Sequence, residues 1–245
     1  MSAGVKIEVR ECSERAENCL IPDLQPDVVN VWIRTLQASS AIERACYEVL
    51  TSEERERAAR YRIERPRNDF VLTRGTLRSL LARYIGVTPQ ELSFRYTEHG
   101  KPLLDGLSDL RFNVSHTEGL ALIAFVRARE IGVDVEKISA TPDVRKLAER
   151  FFSIQERHSL ERLSGDELQS AFFRCWTRKE AYVKARGEGL SLPLHQFDVS
   201  VAPNESRALL ATRPDPSEAG RWTLQDLPVS HGYVAAVAVA ETAGS

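Results

Sequence analysis

Apolar and polar positions change period several times along the chain, and each change marks an element. Residues 28–33 (Val-Val-Asn-Val-Trp-Ile) are dense in β-branched and aromatic side chains and read as the first firm strand. The 27 residues before it are polar and broken by Pro22 and Pro26, with 5–9 as their one strand candidate. Residues 39–50 follow helical spacing, and Thr51-Ser-Glu-Glu54 carries the capping signal of a second short helix reaching about Tyr61. Pro66 suits the first turn of a third helix, whose apolar face is Phe70, Val71, Leu77, Leu80, Leu81 and Tyr84, and Gly86 closes it. Thr88-Pro89 starts a single turn. Period two then takes over, with strands at 92–96, at 110–114 ending in Ser115-His116, at 120–126, and at 131–136, the last expected to pair with 120–126 or lie close by. Residues 98–102 form a turn. After Pro142 three helices are expected at about 143–151, 154–163 and 166–186; Ser153 and Glu156 form a capping box for the second, and Gly187 stops the third. Strands at 196–201, 221–227 and 233–240 complete the pattern, with 204–218 as loop and a loose tail.

The order strand, helices, three strands therefore occurs twice, from about 28 to 127 and from about 131 to 240. No residue-level repeat accompanies it. Such an order implies two similar α/β halves with a cleft between them, a preferred place for a small-molecule site. At 245 residues the chain suits one large domain or two small ones. Its 42% apolar and 28% charged residues are ordinary for a globular protein, and a net charge of -2 argues against nucleic acid or anionic membranes as partners. The six arginines between Arg55 and Arg67 are interleaved with Glu53, Glu54, Glu56 and Glu64, which reads as a self-paired, solvated face. The longest apolar run, 233–240, is too short for a membrane span, and the N-terminus has no apolar core of signal-peptide length, so cytoplasmic residence is expected. Cys12, Cys19, Cys46 and Cys175 show neither Cys-x-x-Cys nor zinc spacing, as in a reducing compartment; only Cys12 and Cys19 are placed to bridge.

Candidate chemistry is spread over both halves of the pattern, with its carboxylates in the second. Asp134 and Glu136, two apart on a strand, share a face and should repel unless a cation lies between them. Carboxylates of this kind suit Mg2+ bound together with substrate phosphate. Trp176, Glu180 and Lys184 form one stripe of the last long helix. Alone, Glu180 and Lys184 read first as a surface ion pair of about 0.2–0.5 kcal/mol. Packed over the sheet, Glu180 would be a third carboxylate and Lys184 would face a bound phosphate. Ser115 and His116, adjacent on an extended segment, point opposite ways and make a poor nucleophile–base pair, but both suit phosphate contacts. Gly100-Lys101-Pro102 presents a lysine on a rigid turn. There is no Walker loop, no Gly-x-Gly-x-x-Gly and no Gly-x-Ser-x-Gly elbow.

Taken in order, Gly100-Lys101-Pro102, Phe112-Asn-Val-Ser115-His116, Ile131-Gly-Val-Asp134-Val-Glu136 and Trp176-x-x-Lys179-Glu180-Ala-x-x-Lys184 resemble the 4'-phosphopantetheinyl transferases. The chain looks most like the larger, surfactin-synthetase-activating type, in which one chain carries two similar halves; 151–153 and 190–194 also look familial. The resemblance implies an α+β fold of two halves related by a pseudo-two-fold, each with a small, mainly antiparallel sheet on helices. Residues 1–128 would hold nucleotide contacts, and 129–245 the metal and catalytic residues. It implies a monomer that moves the phosphopantetheine arm of coenzyme A to a serine of an apo acyl or peptidyl carrier protein, with Mg2+, releasing adenosine 3',5'-bisphosphate. Asp134, Glu136 and Glu180 would hold the metal and Lys184 the pyrophosphate. Lys101, Ser115 and His116 would hold the nucleotide end, His116 and Lys101 near the 3'-phosphate. Glu180 would serve as base, directly or through water. Trp176 becomes packing, and Arg57 and Arg74 are the first-half arginines placed to reach the nucleotide. The competing class is a non-catalytic coenzyme A or carrier-binding module, against which the acid triad speaks; a phosphohydrolase ranks last, for want of paired His/Asp ligands.

Overall fold

The computed structural model describes residues 5–12, 15–106, 108–139, 143–203, 205 and 208–241. The expected helix opening after Pro142 therefore has that proline outside the described residues. In the first half, β1 (Lys6–Glu11) runs parallel to β2 (Val28–Thr35). Then come α1 (Ser40–Glu48), α2 (Ser52–Ala59), α3 (Glu64–Ile85) and a short hairpin of β3 (Phe94–Tyr96) and β4 (Pro102–Leu104). Next, β5 (Leu110–Thr117) and β6 (Leu120–Arg127) complete an otherwise antiparallel sheet of order β1-β2-β6-β5.

The second half opens with β7 (Ile131–Lys137) and the helices α4 (Val144–Phe151), α5 (Ile154–Glu161) and α6 (Gly165–Arg186). It closes with β8 (Phe197–Val199), β9 (Leu209–Thr212), β10 (Trp222–Asp226) and β11 (Tyr233–Ala240). Its antiparallel sheet is β10-β11-β7, with β8-β9 as a separate pair. The fold is α+β, with small, mainly antiparallel sheets packed on helices; the described elements run two strands, three helices and four strands in the first half, and one strand, three helices and four strands in the second.

Local chemistry explains the helix limits. The Thr51 hydroxyl accepts from the Glu54 N–H while the Glu54 carboxylate accepts from the Thr51 N–H, and Ser153 and Glu156 repeat this box at α5. The two long helices, 22 residues each, both end on a left-handed glycine, Gly86 at φ 75° and Gly187 at φ 71°.

Each half has its own core, around Trp32, Leu80, Phe112 and Phe125 in one and Phe152, Phe172, Tyr182 and Phe197 in the other. A third cluster joins them: Val29, Val31, Leu122 and Ala124 of the first sheet with Val133, Val135 and Val237 of the second. Burying each such valine or leucine contributes about 1.5–3 kcal/mol, so the halves stabilise one another.

Two expectations need correction, and one is met in its second form: β7 lies close to β6 without pairing with it, because both edges of β6 are taken by β2 and β5, and β7 pairs with β11 instead. β7 runs beside β5, bridged by side chains: Asn113 Oδ1 accepts from the Val133 N–H at 2.9 Å and Thr117 Oγ1 from the Lys137 N–H at 3.4 Å. Ser115 and His116 lie inside β5, which continues to Thr117. The loop read at 204–218 contains β9, four residues among breakers, and the turn read at 98–102 gives way at Pro102 to β4, three residues to which no strand was assigned; both are too short to show a period.

Candidate active site

Gly132 sets the geometry of the site. A Cβ there would lie 2.1 Å from the Ala181 carbonyl oxygen and 2.3 Å from the Ala185 nitrogen, so the backbones of β7 and α6 touch. That contact lays the last turn of α6 over Asp134. The Lys184 ammonium donates to Asp134 Oδ1 at 2.6 Å and to Ser115 Oγ at 3.0 Å, and the Ser115 hydroxyl donates to the same Asp134 oxygen at 2.8 Å. One residue each from β5, β7 and α6 thus meets where the halves join. Asp134 is 4% exposed, and its other oxygen, Oδ2, is buried with no hydrogen-bond partner.

Two more acids feel this junction. Burial pushes the Glu136 carboxyl up to about 7, helped by the charges of Asp134 and Glu180 and opposed by Lys184. Burial, then Asp134, also raises Glu180, again against Lys184. The three carboxylates therefore share an electrostatic neighbourhood with net repulsion. Among the described residues, no three His, Cys, Asp or Glu side chains are gathered into a closed ligand set.

A cavity of about 600 Å3 opens beside the junction. Glu180, Lys184 and Lys101 line it; Ser115, His116, Asp134 and Glu136 are not part of its wall. Lys101 does not present a bare ammonium. It donates to Glu130 at 3.1 Å and to the carbonyls of Ile131 at 3.1 Å and Ala185 at 3.3 Å, and burial lowers its pKa against the pull of Glu130. His116 keeps an exposed ring on the face of β5 opposite to buried Ser115, as strand alternation requires. Desolvation lowers its pKa; Asp69 of α3 acts the other way and Lys184 adds to the lowering.

Sequence reasoning had missed several neighbours. Asn113, which fastens β5 to β7, has no role assigned by the sequence pattern. Asp69 facing His116 had no local signal. The cavity walls of Arg150 and Phe151 on one side and Leu192 to His195 on another include Phe151 and Leu192 to Leu194 of the two familial-looking segments, while Arg150 and His195 lie just outside them. Trp176 lines the cavity as well as packing edge-to-face on Phe151, with ring centroids 5.6 Å apart. Arg74 is engaged elsewhere: it donates to Glu54 at 2.5 Å and lies 4.1 Å from the Phe94 ring centroid. Arg57 lies 5.0 Å from the Phe70 ring centroid.

Comparison with known proteins covers both halves. Residues 130–238 match the 4'-phosphopantetheinyl transferase superfamily, and residues 37–127 match the N-terminal region of 4'-phosphopantetheinyl transferases. The chain is 39% identical to the 4'-phosphopantetheinyl transferase HetI of Nostoc sp. over 220 residues, 89% of this chain and 90% of that protein. It is 33% identical to the 4'-phosphopantetheinyl transferase Sfp of Bacillus subtilis over 150 residues, 61% of this chain and 66% of that one. Likeness extends to the Xenopus laevis L-aminoadipate-semialdehyde dehydrogenase-phosphopantetheinyl transferase, at 26% over 216 residues, 80% of this chain and 70% of that one. With both halves matched and likeness to a relative running along most of its length, the chain belongs to the 4'-phosphopantetheinyl transferase superfamily, in its larger Sfp-like branch, and is an enzyme of phosphopantetheine transfer.

Proposed function

We propose that the cavity and the Ser115–Asp134–Lys184 junction hold coenzyme A, and that the enzyme passes its phosphopantetheine arm to a serine of an apo acyl or peptidyl carrier protein. The observation that carries this reading is the pairing, on one cavity wall, of a carboxyl raised by burial, Glu180, with an ammonium one turn on, Lys184. The carrier serine oxygen attacks the phosphorus that bears the pantetheine arm. A new P–O bond forms, and the bond from that phosphorus to the bridging pyrophosphate oxygen breaks. The electron pair leaves on adenosine 3',5'-bisphosphate. Glu180 takes the serine proton, directly or through water, for which a raised carboxyl is better matched than an ordinary one. Lys184 offsets the charge building on the leaving phosphate. Lys101 and His116 hold the nucleotide end near its 3'-phosphate, and Ser115 contacts it from the junction with Asp134 and Lys184; Lys101 engages it by giving up its contact with Glu130.

Asp134, Glu136 and Glu180 are the residues that would hold Mg2+. The orphaned, buried Oδ2 of Asp134 and the mutual repulsion of the three acids fit a hard divalent cation. When bound, such an ion neutralises pyrophosphate charge. The reading includes a monomer in the cytoplasm, in keeping with four cysteines not joined in disulfides; the Cys12 and Cys19 sulfurs lie 3.0 Å apart in hydrogen-bond contact. Among the described residues no helix is long and apolar enough to cross a membrane.

The test is incubation with coenzyme A and a panel of apo carriers, with and without Mg2+. The expected result is a carrier mass increase of one phosphopantetheine and equimolar adenosine 3',5'-bisphosphate, both requiring Mg2+. Tight coenzyme A binding with no carrier modified across fatty-acid, polyketide and nonribosomal-peptide types would overturn the reading.

A further inference from the structure

Lys179 precedes Glu180 on α6 but points away from the cavity. It is completely buried, and all three of its ammonium protons are used: Leu194 O at 2.7 Å, Phe197 O at 2.7 Å and Glu156 Oε1 at 2.7 Å. Its nitrogen also sits 4.3 Å from the Phe197 ring centroid. Glu156, only 2% exposed, is equally committed: it accepts from the Ser153 N–H at 2.8 Å and from the Val199 N–H at 2.8 Å. The pair therefore reaches both cavity walls from behind. Through Glu156 it holds the backbone that follows Arg150 and Phe151. Through Lys179 it holds the short 3-10 turn Leu194–Gln196, of which Leu194 and His195 line the cavity.

A buried ion pair is a costly way to gain stability alone, since apolar side chains of similar volume often serve as well. What an apolar residue at 179 lacks is the capacity to fix two carbonyls, Leu194 O in the 3-10 turn and Phe197 O at the start of β8. We propose that Lys179 and Glu156 are positioning residues. They set the separation of the 150–151 and 192–195 walls, and hence the cleft that receives the pantetheine arm of coenzyme A, without touching the substrate. This rests on the reading that the cavity takes coenzyme A. The nucleotide end, on Lys101, Ser115 and His116, lies outside the pair's reach.

Two variants separate positioning from stability. Lys179→Met removes the donor and leaves Glu156 charged and buried. Glu156→Gln combined with Lys179→Met removes the charge as well, while the single amide oxygen of glutamine keeps one of the two backbone contacts, to the Ser153 or the Val199 N–H. Calorimetry with Mg2+ measures the affinity of each folded protein for coenzyme A and for adenosine 3',5'-bisphosphate, which lacks the arm, and thermal melting is recorded alongside. The expected result is that both variants lose coenzyme A affinity by about tenfold or more and hold the bisphosphate within about twofold. The double variant should recover melting temperature but not coenzyme A affinity. Recovery of both in the double variant would show the pair to be structural only. Parallel loss of both ligands, unchanged coenzyme A affinity, or a wild type that binds the two ligands equally well would also overturn the proposal. Binding needs no turnover, so a failure of carrier transfer, which bears on the proposed function, is read separately.

Discussion

Replacing Gly132 by alanine is the sharpest test of how the fold builds the site. The added Cβ would lie 2.1 Å from Ala181 O, 2.3 Å from Ala185 N and 2.9 Å from Lys184 C. All three are backbone atoms of α6, so no side chain can swing aside. Ordinary contact begins at 3.4 Å, so the helix and strand must part by roughly 1 Å or more. Gly132 is not among the left-handed glycines, and the effect is therefore steric rather than conformational. Overpacking of this kind costs about 1–3 kcal/mol, and the absence of a yielding side chain places it at the upper end. The functional effect should be larger. Glu180 and Lys184 ride on the displaced turn, and Lys184 is held to Asp134 by a 2.6 Å contact that a shift of this size breaks. Misplacing reacting groups by about 1 Å costs on the order of 100-fold in rate. The assay pairs thermal melting with kcat/KM for carrier modification, measured well below the melting transition. Gly220→Ala is the control, because a Cβ there meets nothing within 4 Å. The expected outcome is a lowered melting temperature and a roughly 100-fold loss of kcat/KM for Gly132→Ala only. A Gly132→Ala enzyme that melts and turns over like wild type would refute the claim that close backbone approach places the catalytic groups.

Glu180→Gln should cut carrier modification by about 100-fold or more while leaving the melting temperature equal or higher, because it removes a half-buried acid repelled by Asp134; near-normal turnover by mass spectrometry would take Glu180 out of the chemistry. For Glu136 the sign follows from a folded pKa raised to about 7 above its ordinary 4.5, so the folded state binds the extra proton, and stability falls as pH rises through that window. Without divalent cations, melting temperature should therefore decline more steeply from about pH 4.5 to 7 in wild type than in Glu136→Gln, and identical slopes would contradict the burial argument. Asn113→Ala strands the buried Val133 N–H and should cost about 1–3 kcal/mol in denaturant unfolding; a smaller loss would mean that β5 and β7 are not held together by that side chain.

What could be read from the sequence was local. Capping boxes at Thr51 and Ser153, and glycines ending both long helices, are decided within a few residues, and they fell where periodicity and capping placed them. Strand partnership is not local: β7 pairs with β11 because β6 has no free edge, a fact about the whole sheet. The same division runs through the site. Asp134, Glu180 and Lys184 were recognisable as a set, but not the reach of Lys101 across to two backbone carbonyls, nor the walls built by 150–151 and 192–195. Lys184 shows why the distinction matters physically. Read along the helix, it is the cationic end of a solvated Glu180–Lys184 pair worth about 0.2–0.5 kcal/mol. In the fold its hydrogen bonds go instead to Ser115 and to an aspartate that is 4% exposed. Removing the lysine would leave that aspartate charged and shielded from water, a loss of about 3–5 kcal/mol for a buried pair, less here because Lys184 itself keeps some solvent contact. A cation that offsets Asp134 in one state and a phosphate in another must be able to leave the aspartate. On the proposed reading, a replacement positive charge would enter beside the orphaned second oxygen of Asp134, with Glu136 and Glu180 nearby.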